Sequence, residues 1–321
     1  MPQHLPHPMT RRSLLRLAPS AALFSSLPSS LRGTAPDPDA VDTISVFHST
    51  DLHGNILPTS NYDGTPDLGG LARCASVLKA WRKEHPHHLT IDVGDLYQGT
   101  DLSLRSQGAL MVNCLNHLDY DAWIIGNHEL DWGIEAVHAA VTRSRMPVLA
   151  ANVELHDRRV WDEEQRNDST LAPFLLQECG GYKIAVVALT TPNMANWFLP
   201  DLTPGFAAHD PVPVLRQILA ELAPHRPDAT LLACHMGVRP WSREDDSANR
   251  LFALTAEFPQ IDAIIAGHTH QNQASRQVNG VAYTQASYFG IHLGHLKLHF
   301  DPATRKLVAV DPTTTLVDGR F

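Results

Sequence analysis

Ala122-Trp123-Ile124-Ile125-Gly126-Asn127-His128-Glu129 runs four apolar residues into a glycine and then into three residues able to hold a proton or a cation. Four apolar residues are too few for a helix and suit a buried strand, and Gly126 marks where that strand ends and the chain turns. The same order recurs along the chain. Thr43 to Phe47 leads into Asp51-Leu52-His53-Gly54, and Leu89 to Val93 into Gly94-Asp95. Thr230 to Ala233 leads into Cys234-His235, and Asp262 to Ala266 into Gly267-His268-Thr269-His270. Lys183 to Leu189 is a further strand-like run.

Between these runs, apolar residues recur at helical spacing: Leu71, Cys74, Leu78 and Trp81, then Val214, Ile218, Leu219 and Leu222. Short apolar runs alternating with amphipathic helices predict an α/β layered domain. Past Gly267 the texture turns to β. Val278-Asn279-Gly280-Val281 reads as a tight hairpin turn, and Leu293 to Phe300 alternates apolar with polar residues. Leu293 through Val317 is read as the closing strands, and no internal repeat is visible. Residues 41–321 are therefore expected to form one domain, an α-β-β-α sandwich of two packed mixed sheets flanked by helices.

Open α/β sheets place their ligands beyond the carboxyl ends of the strands, which is where the unusual residues stand. Asp51 and His53, two apart, can aim a carboxylate and an imidazole at one point, and Gly94 lets the backbone turn so that Asp95 faces the same place. Asn127, His235, His268 and His270 complete the set. Each fragment alone fits a turn or a helix cap. Together, two carboxylates, one amide and four imidazoles are too many for one ion but suit two ions sharing a bridging carboxylate.

Composition limits the partners. The 25 Lys and Arg against 34 Asp and Glu give a formal charge of -9, which argues against a broad basic face and hence against a nucleic-acid polymer as partner. A small anionic substrate needs only local positive charge, which bound divalent cations supply. With 19 histidines in the chain, spacing has to single out the functional ones. His85, His87 and His88 fall in a polar link, and His295 and His299 are assigned to the solvent face of a late strand. Cys74, Cys114, Cys179 and Cys234 show no short paired spacing and are expected as buried free thiols.

Thr10-Arg11-Arg12-Ser13-Leu14-Leu15-Arg16, followed by an apolar stretch from Leu17 to Leu27 and a Pro/Ser/Gly/Asp-rich link, resembles a twin-arginine export signal. Residues 1–40 are assigned to that signal and link, with Ala40 a weak cleavage candidate. The expected partner is the twin-arginine export machinery and the expected location periplasmic or extracellular. The apolar stretch falls short of the roughly 18 to 20 residues that span a bilayer, so no stable membrane insertion is expected.

The order and form of the strand-end motifs resemble the calcineurin-like metallophosphoesterase superfamily. Gly126-Asn127-His128-Glu129-Leu130-Asp131-Trp132-Gly133 and Gly94-Asp95-Leu96-Tyr97-Gln98-Gly99-Thr100 are similar to its 5'-nucleotidase and 2',3'-cyclic phosphodiesterase branch. So are Leu189-Thr190-Thr191-Pro192, His235-Met236-Gly237 and Gly267 to Gln271. The superfamily's protein phosphatases carry Asp-Arg-Gly after their Gly-Asp; Gln98 before Gly99 counts against them.

The resemblance implies one divalent cation held by Asp51, His53, Asp95 and His270, and a second by Asp95, Asn127, His235 and His268. Manganese, iron, zinc or cobalt all suit such a set. It further implies His128 at the leaving group, with Asp131 orienting it; Asp131 also fits a helix-start carboxylate. Glu129 receives no chemical step. The implied activity is hydrolysis of a small-molecule phosphate ester, with nucleotides foremost. A sulfate-releasing hydrolase of the same branch and a non-catalytic binding protein of the same fold are the alternatives. Nucleotide-cleaving members continue into a second domain that clamps the base; this chain is expected to lack it, leaving loop aromatics such as Trp197, Phe198 and Trp241 as candidates for stacking.

Overall fold

The computed structural model describes residues 41–155, 171–197, 203 and 205–321. The expected export segment at 1–40 and the aromatic Phe198 lie outside the described residues. In chain order the first elements are β1 (Asp42–Ser49), α1 (Leu71–Glu84), β2 (His88–Asp92), α2 (Asp101–Arg105), α3 (Ala109–His117), β3 (Ala122–Ile124), α4 (Ile134–Arg143), β4 (Val148–Leu149) and β5 (Val153–Leu155). Then follow β6 (Phe174–Cys179), β7 (Tyr182–Thr190), β8 (Phe206–Ala208), α5 (Pro211–Leu222), β9 (Ala229–His235), α6 (Leu251–Glu257), β10 (Ala263–Ala266), β11 (Asn272–Val278), β12 (Val281–Ala286), β13 (His292–Phe300) and β14 (Leu307–Leu316).

Two six-stranded sheets result, in the orders β14-β13-β1-β2-β3-β4 and β11-β12-β10-β9-β7-β6, with β5 and β8 as a small separate pair. Both large sheets are mixed. Strands β1 to β4 run parallel while β13 and β14 close that sheet antiparallel; β7, β9, β10 and β12 run parallel between antiparallel β6 and β11.

The period-two alternation along each strand decides which layer a side chain enters. Ile44, Val46, Ile91 and Ile124 of the first sheet meet Ile184, Val186, Leu231 and Ile265 of the second in one buried cluster between the sheets. Phe47 and Trp123 point the other way, against Leu71, Cys74 and Leu78 of α1 and Met111 and Leu115 of α3. On the far side Leu215, Ile218 and Leu222 of α5 and Leu254 of α6 cover Ala185, Val187 and Leu232. Helix, sheet, sheet and helix therefore stack as four layers, in agreement with the layering read from the sequence.

Local chemistry sets the element ends. Asp210 caps α5 by accepting Val212 N–H at 3.0 Å, with Pro211 in the first turn where a missing N–H costs nothing. Asn279 and Gly280 both take positive φ, 50° and 85°, as a two-residue hairpin requires between β11 and β12.

His295 corrects one expectation. It does not face solvent: Phe47, Trp81 and His85 surround it, and Nε2 pairs with Ser45 Oγ at 2.9 Å. The alternation along β13 is as read, but α1 covers that face at His295, while His299 further along remains half-buried. Cys114 likewise is only half-buried, unlike Cys74, Cys179 and Cys234.

A candidate metal centre at the strand ends

Because β1, β2, β3, β9 and β10 run in matched directions, their carboxyl ends emerge at one edge of the sandwich. There the loops knit together through the backbone. Asp51 N–H donates to Gly94 O, His53 N–H to Asp95 O and Gly54 N–H to Leu96 O, at 2.9, 2.9 and 3.0 Å. From the second sheet, His268 N–H reaches both carboxylate oxygens of Asp51 at 3.1 Å. Gly126 approaches so closely that a Cβ there would lie 2.4 Å from the Asp95 backbone nitrogen and its Oδ1.

The strand-end residues come together in two groups sharing a member. Asp51, His53, Asp95 and His270 bring one ligand atom each within 4.8 Å of one another, and so do Asp95, His235 and His268. Asn127 joins the second group through Oδ1, which is 2.9 Å from His268 Nδ1. Asp51, Asp95 and His235 are fully buried, and His53 and Asn127 nearly so.

Five of these residues adopt left-handed backbone: Asp51, His53, Asp95, His268 and His270 have φ of 51°, 47°, 53°, 73° and 54°. For residues with a Cβ that conformation is strained, and such strain gathers where side chains must be aimed.

Hydrogen bonds fix the imidazoles. Nδ1 of His53 donates to Gln98 O at 3.0 Å and Nδ1 of His235 to Val93 O at 2.7 Å, leaving each Nε2 as a bare lone pair pointed inward. Tyr62 OH holds His270 Nδ1 at 2.8 Å, and His270 Nε2 lies 3.1 Å from Asp51 Oδ1.

Among the described residues these atoms suit a cation better than they suit each other. His53 Nε2 and His270 Nε2 face one another at 3.0 Å, lone pair to lone pair once Nδ1 carries the proton. His235 Nε2 is fully buried with no hydrogen-bond partner although Asp95 Oδ2 is 3.1 Å away. Imidazole nitrogens with the second nitrogen tied to a carbonyl, beside ionised carboxylates, form a donor set for divalent first-row metals.

Charge follows the same geometry. Burial would raise Asp95, but the adjoining His235, with His53 and His128, holds it well below the ordinary carboxylate range. Burial would also raise Asp51, and the close approach of His270, with the charge of His235, holds it down. Burial pulls His53 down and His268 to about 4. Against the pull of burial, Asp95 lifts His235 to about 10, so that the inward Nε2 takes up either a proton or a cation.

His128 and Asp131 sit beside this centre, with His128 Nδ1 at 2.7 Å from Asp131 Oδ2. Burial lowers His128, but the Asp131 hydrogen bond and the Asp95 charge outweigh it and push it up to about 9. With Asn127, Trp197 and His268 the pair lines a cavity of about 310 Å³.

Two features were not read from the sequence. Glu129, given no chemical step, accepts three backbone N–H groups, from Asp95, Leu96 and Gly126, at 2.9, 2.7 and 2.6 Å. Its position three residues after Gly126 was the available signal. Tyr62, from an exposed loop, stacks on Tyr288 with centroids 4.3 Å apart while holding His270; nothing in its local sequence marked it.

A family model described as calcineurin-like phosphoesterase matches residues 44–272. The chain is 25% identical over 284 residues to the 2',3'-cyclic-nucleotide 2'-phosphodiesterase/3'-nucleotidase of Salmonella typhimurium, covering 79% of this chain and 42% of that protein. It is 26% identical over 284 residues to the 5'-nucleotidase of Rattus norvegicus, covering 80% and 46%. The solved 5'-nucleotidase precursor of Thermus thermophilus superposes with a TM-score of 0.70 at 22% identity, over 87% of this chain and 55% of that one. The chain thus spans less than half the length of the curated relatives it matches.

Proposed function

The chain belongs to the calcineurin-like phosphoesterase family, which works with two divalent cations, and on that premise we propose that it hydrolyses phosphate esters of nucleotides or similar small molecules at a two-metal centre. The carrying observation is that Asp95 belongs to both donor groups, as a bridging carboxylate must. Asp51, His53, Asp95 and His270 would hold one ion, and Asp95, Asn127, His235 and His268 the other. Such a pair, when bound, supplies Lewis-acid activation of water and neutralises charge on the phosphoryl oxygens.

The protein's own residues do the rest. Gln98 and Val93 carbonyls hold His53 and His235 in the tautomer that presents Nε2, and Glu129 holds the loop that carries Asp95. Asp131 fixes His128 through Nδ1, so that the imidazole meets the leaving-group oxygen in the cavity. Water adds to phosphorus in line with that oxygen as the bond to it breaks; His128 gives the departing oxygen a proton, and the water's proton is released. The nucleotidase and cyclic phosphodiesterase relatives support nucleotides as the substrate class. The twin-arginine segment supports export, and among the described residues no helix is long and apolar enough to cross a membrane.

The test is a screen of nucleoside monophosphates, 2',3'-cyclic nucleotides, dinucleotides and matched sulfate esters with added manganese. Phosphate release is expected. Sulfate release without phosphate release, or no hydrolysis by protein carrying both metals, overturns the reading.

A further inference from the structure

Trp197 keeps 43% of its surface exposed, yet the residues before it hold it in place. Thr191 N–H donates to His235 O at 3.1 Å, and Thr191 Oγ1 accepts Asn193 N–H at 3.3 Å. Met194 is fully buried in the cluster beneath α1 and α3, and Trp197 N–H closes the short 3-10 turn onto Met194 O at 3.0 Å. The indole then stacks on His268, centroids 5.2 Å apart and planes 22° apart. One ring face is engaged; the exposed remainder borders the cavity that His128 and Asp131 also line.

An exposed indole on an anchored turn is an unusual use of a large apolar side chain. Its place explains it. A leaving group whose oxygen meets His128 has to extend into the space bounded by Asn127, His128, Asp131 and Trp197, and the indole is the aromatic surface there. Tyr62, the exposed aromatic on the His270 side, is already stacked on Tyr288 and bonded through its hydroxyl.

We propose that Trp197 is the wall on which the organic part of the substrate lies, so that this site selects phosphate esters whose leaving group carries a flat ring, nucleosides above aliphatic alcohols. The inference rests on the reading of His128 at the leaving group. Stacking uses the π-face that every base has, so the wall favours nucleosides as a class and distinguishes poorly among them. Because the turn is anchored in advance, the gain appears as tighter binding.

The test compares wild type, Trp197→Ala and Trp197→Phe, each loaded with manganese, on AMP, CMP and glycerol 2-phosphate, with adenosine affinity measured separately by calorimetry. In Trp197→Ala the rise in KM for AMP and CMP should exceed that for glycerol 2-phosphate by roughly tenfold or more, with kcat altered much less, and adenosine should bind correspondingly more weakly. Trp197→Phe should recover most of both. Equal losses on all three esters, or loss of manganese from Trp197→Ala with adenosine binding intact, overturn the proposal in favour of simple support for His268. If wild type hydrolyses no ester, the functional reading fails by itself; adenosine affinity then decides the wall, which stands if Trp197→Ala weakens it and falls if it does not.

Discussion

The carboxylate of Glu129 accepts the backbone N–H of Asp95 at 2.9 Å, and the same carboxylate takes the N–H groups of Leu96 and Gly126. One buried side chain thus ties the loop after β2 to the loop after β3, the two loops that deliver Asp95 and Asn127. Burial, together with the Asp95 charge, raises the Glu129 carboxyl to about 7.

Replacing Glu129 by Gln puts an amide NH2 against backbone donors that need an acceptor. Leaving buried donors unpaired costs about 1–3 kcal/mol, more where the lost partner is charged. Glu129→Gln is expected to lose at least that much stability in urea denaturation and to bind less metal. Wild-type stability with full metal content would show that the three bonds contribute nothing.

Asp95→Asn should weaken both metal sites, because the shared charge is removed, whereas His53→Ala should weaken mainly one. Elemental analysis after dialysis reads the stoichiometry directly. Two tightly held metals and full activity in Asp95→Asn would refute the bridging assignment.

His128→Asn should lower kcat by roughly 10² or more while the metals stay bound, as expected of a group that acts in the transition state. An aryl phosphate, with its better leaving group, should lose less than a ribose phosphate. Losses of the same size on both substrates would remove His128 from the leaving group.

Stability should fall with acid through two histidines away from the metal centre. Burial, reinforced by the nearby His295, lowers His48 to about 3, and burial, reinforced by His85 and Lys297, lowers His295 to about 4. Both are neutral in the folded protein, while the unfolded chain takes up protons near 6.5. Their contribution is therefore complete above pH 6.5 and is lost progressively as pH falls towards 4. Thermal midpoints across this window should decline, and His295→Gln should decline less steeply than wild type; identical slopes would exclude His295 as a source.

The strand ends were legible because metal-binding residue types follow short apolar runs, a pattern that depends only on neighbours in sequence. Asp51, Asp95, His235 and His268 lie together for that reason. The roles of Glu129 and Tyr62 depend on which loops meet, and meeting is settled by sheet order. Strand β6, Phe174–Cys179, carries no clean alternation in the sequence because it is an edge strand with exposed Gln177 and Glu178. His295 is buried rather than solvent-facing for the same kind of reason: alternation gives the two faces of β13, but the helix covering one of them lies some two hundred residues earlier in the chain.

Ser45 of β1 and His295 of β13 are hydrogen-bonded across 250 residues of chain, and β13 supplies the antiparallel edge of the strand that leads to Asp51. On a ribosome adding about 5–20 residues per second, β1 waits roughly 12 to 50 s for that neighbour. Throughout the interval its backbone donors and acceptors on one side stay unpaired, an invitation to any other extended chain nearby. His268 and His270 emerge late in the same interval, so the nascent protein cannot present its complete set of metal donors until most of its length has been synthesised. Complete metal capture therefore has to wait until His270 has been synthesised, even though Asp51 and His53 emerge near the start.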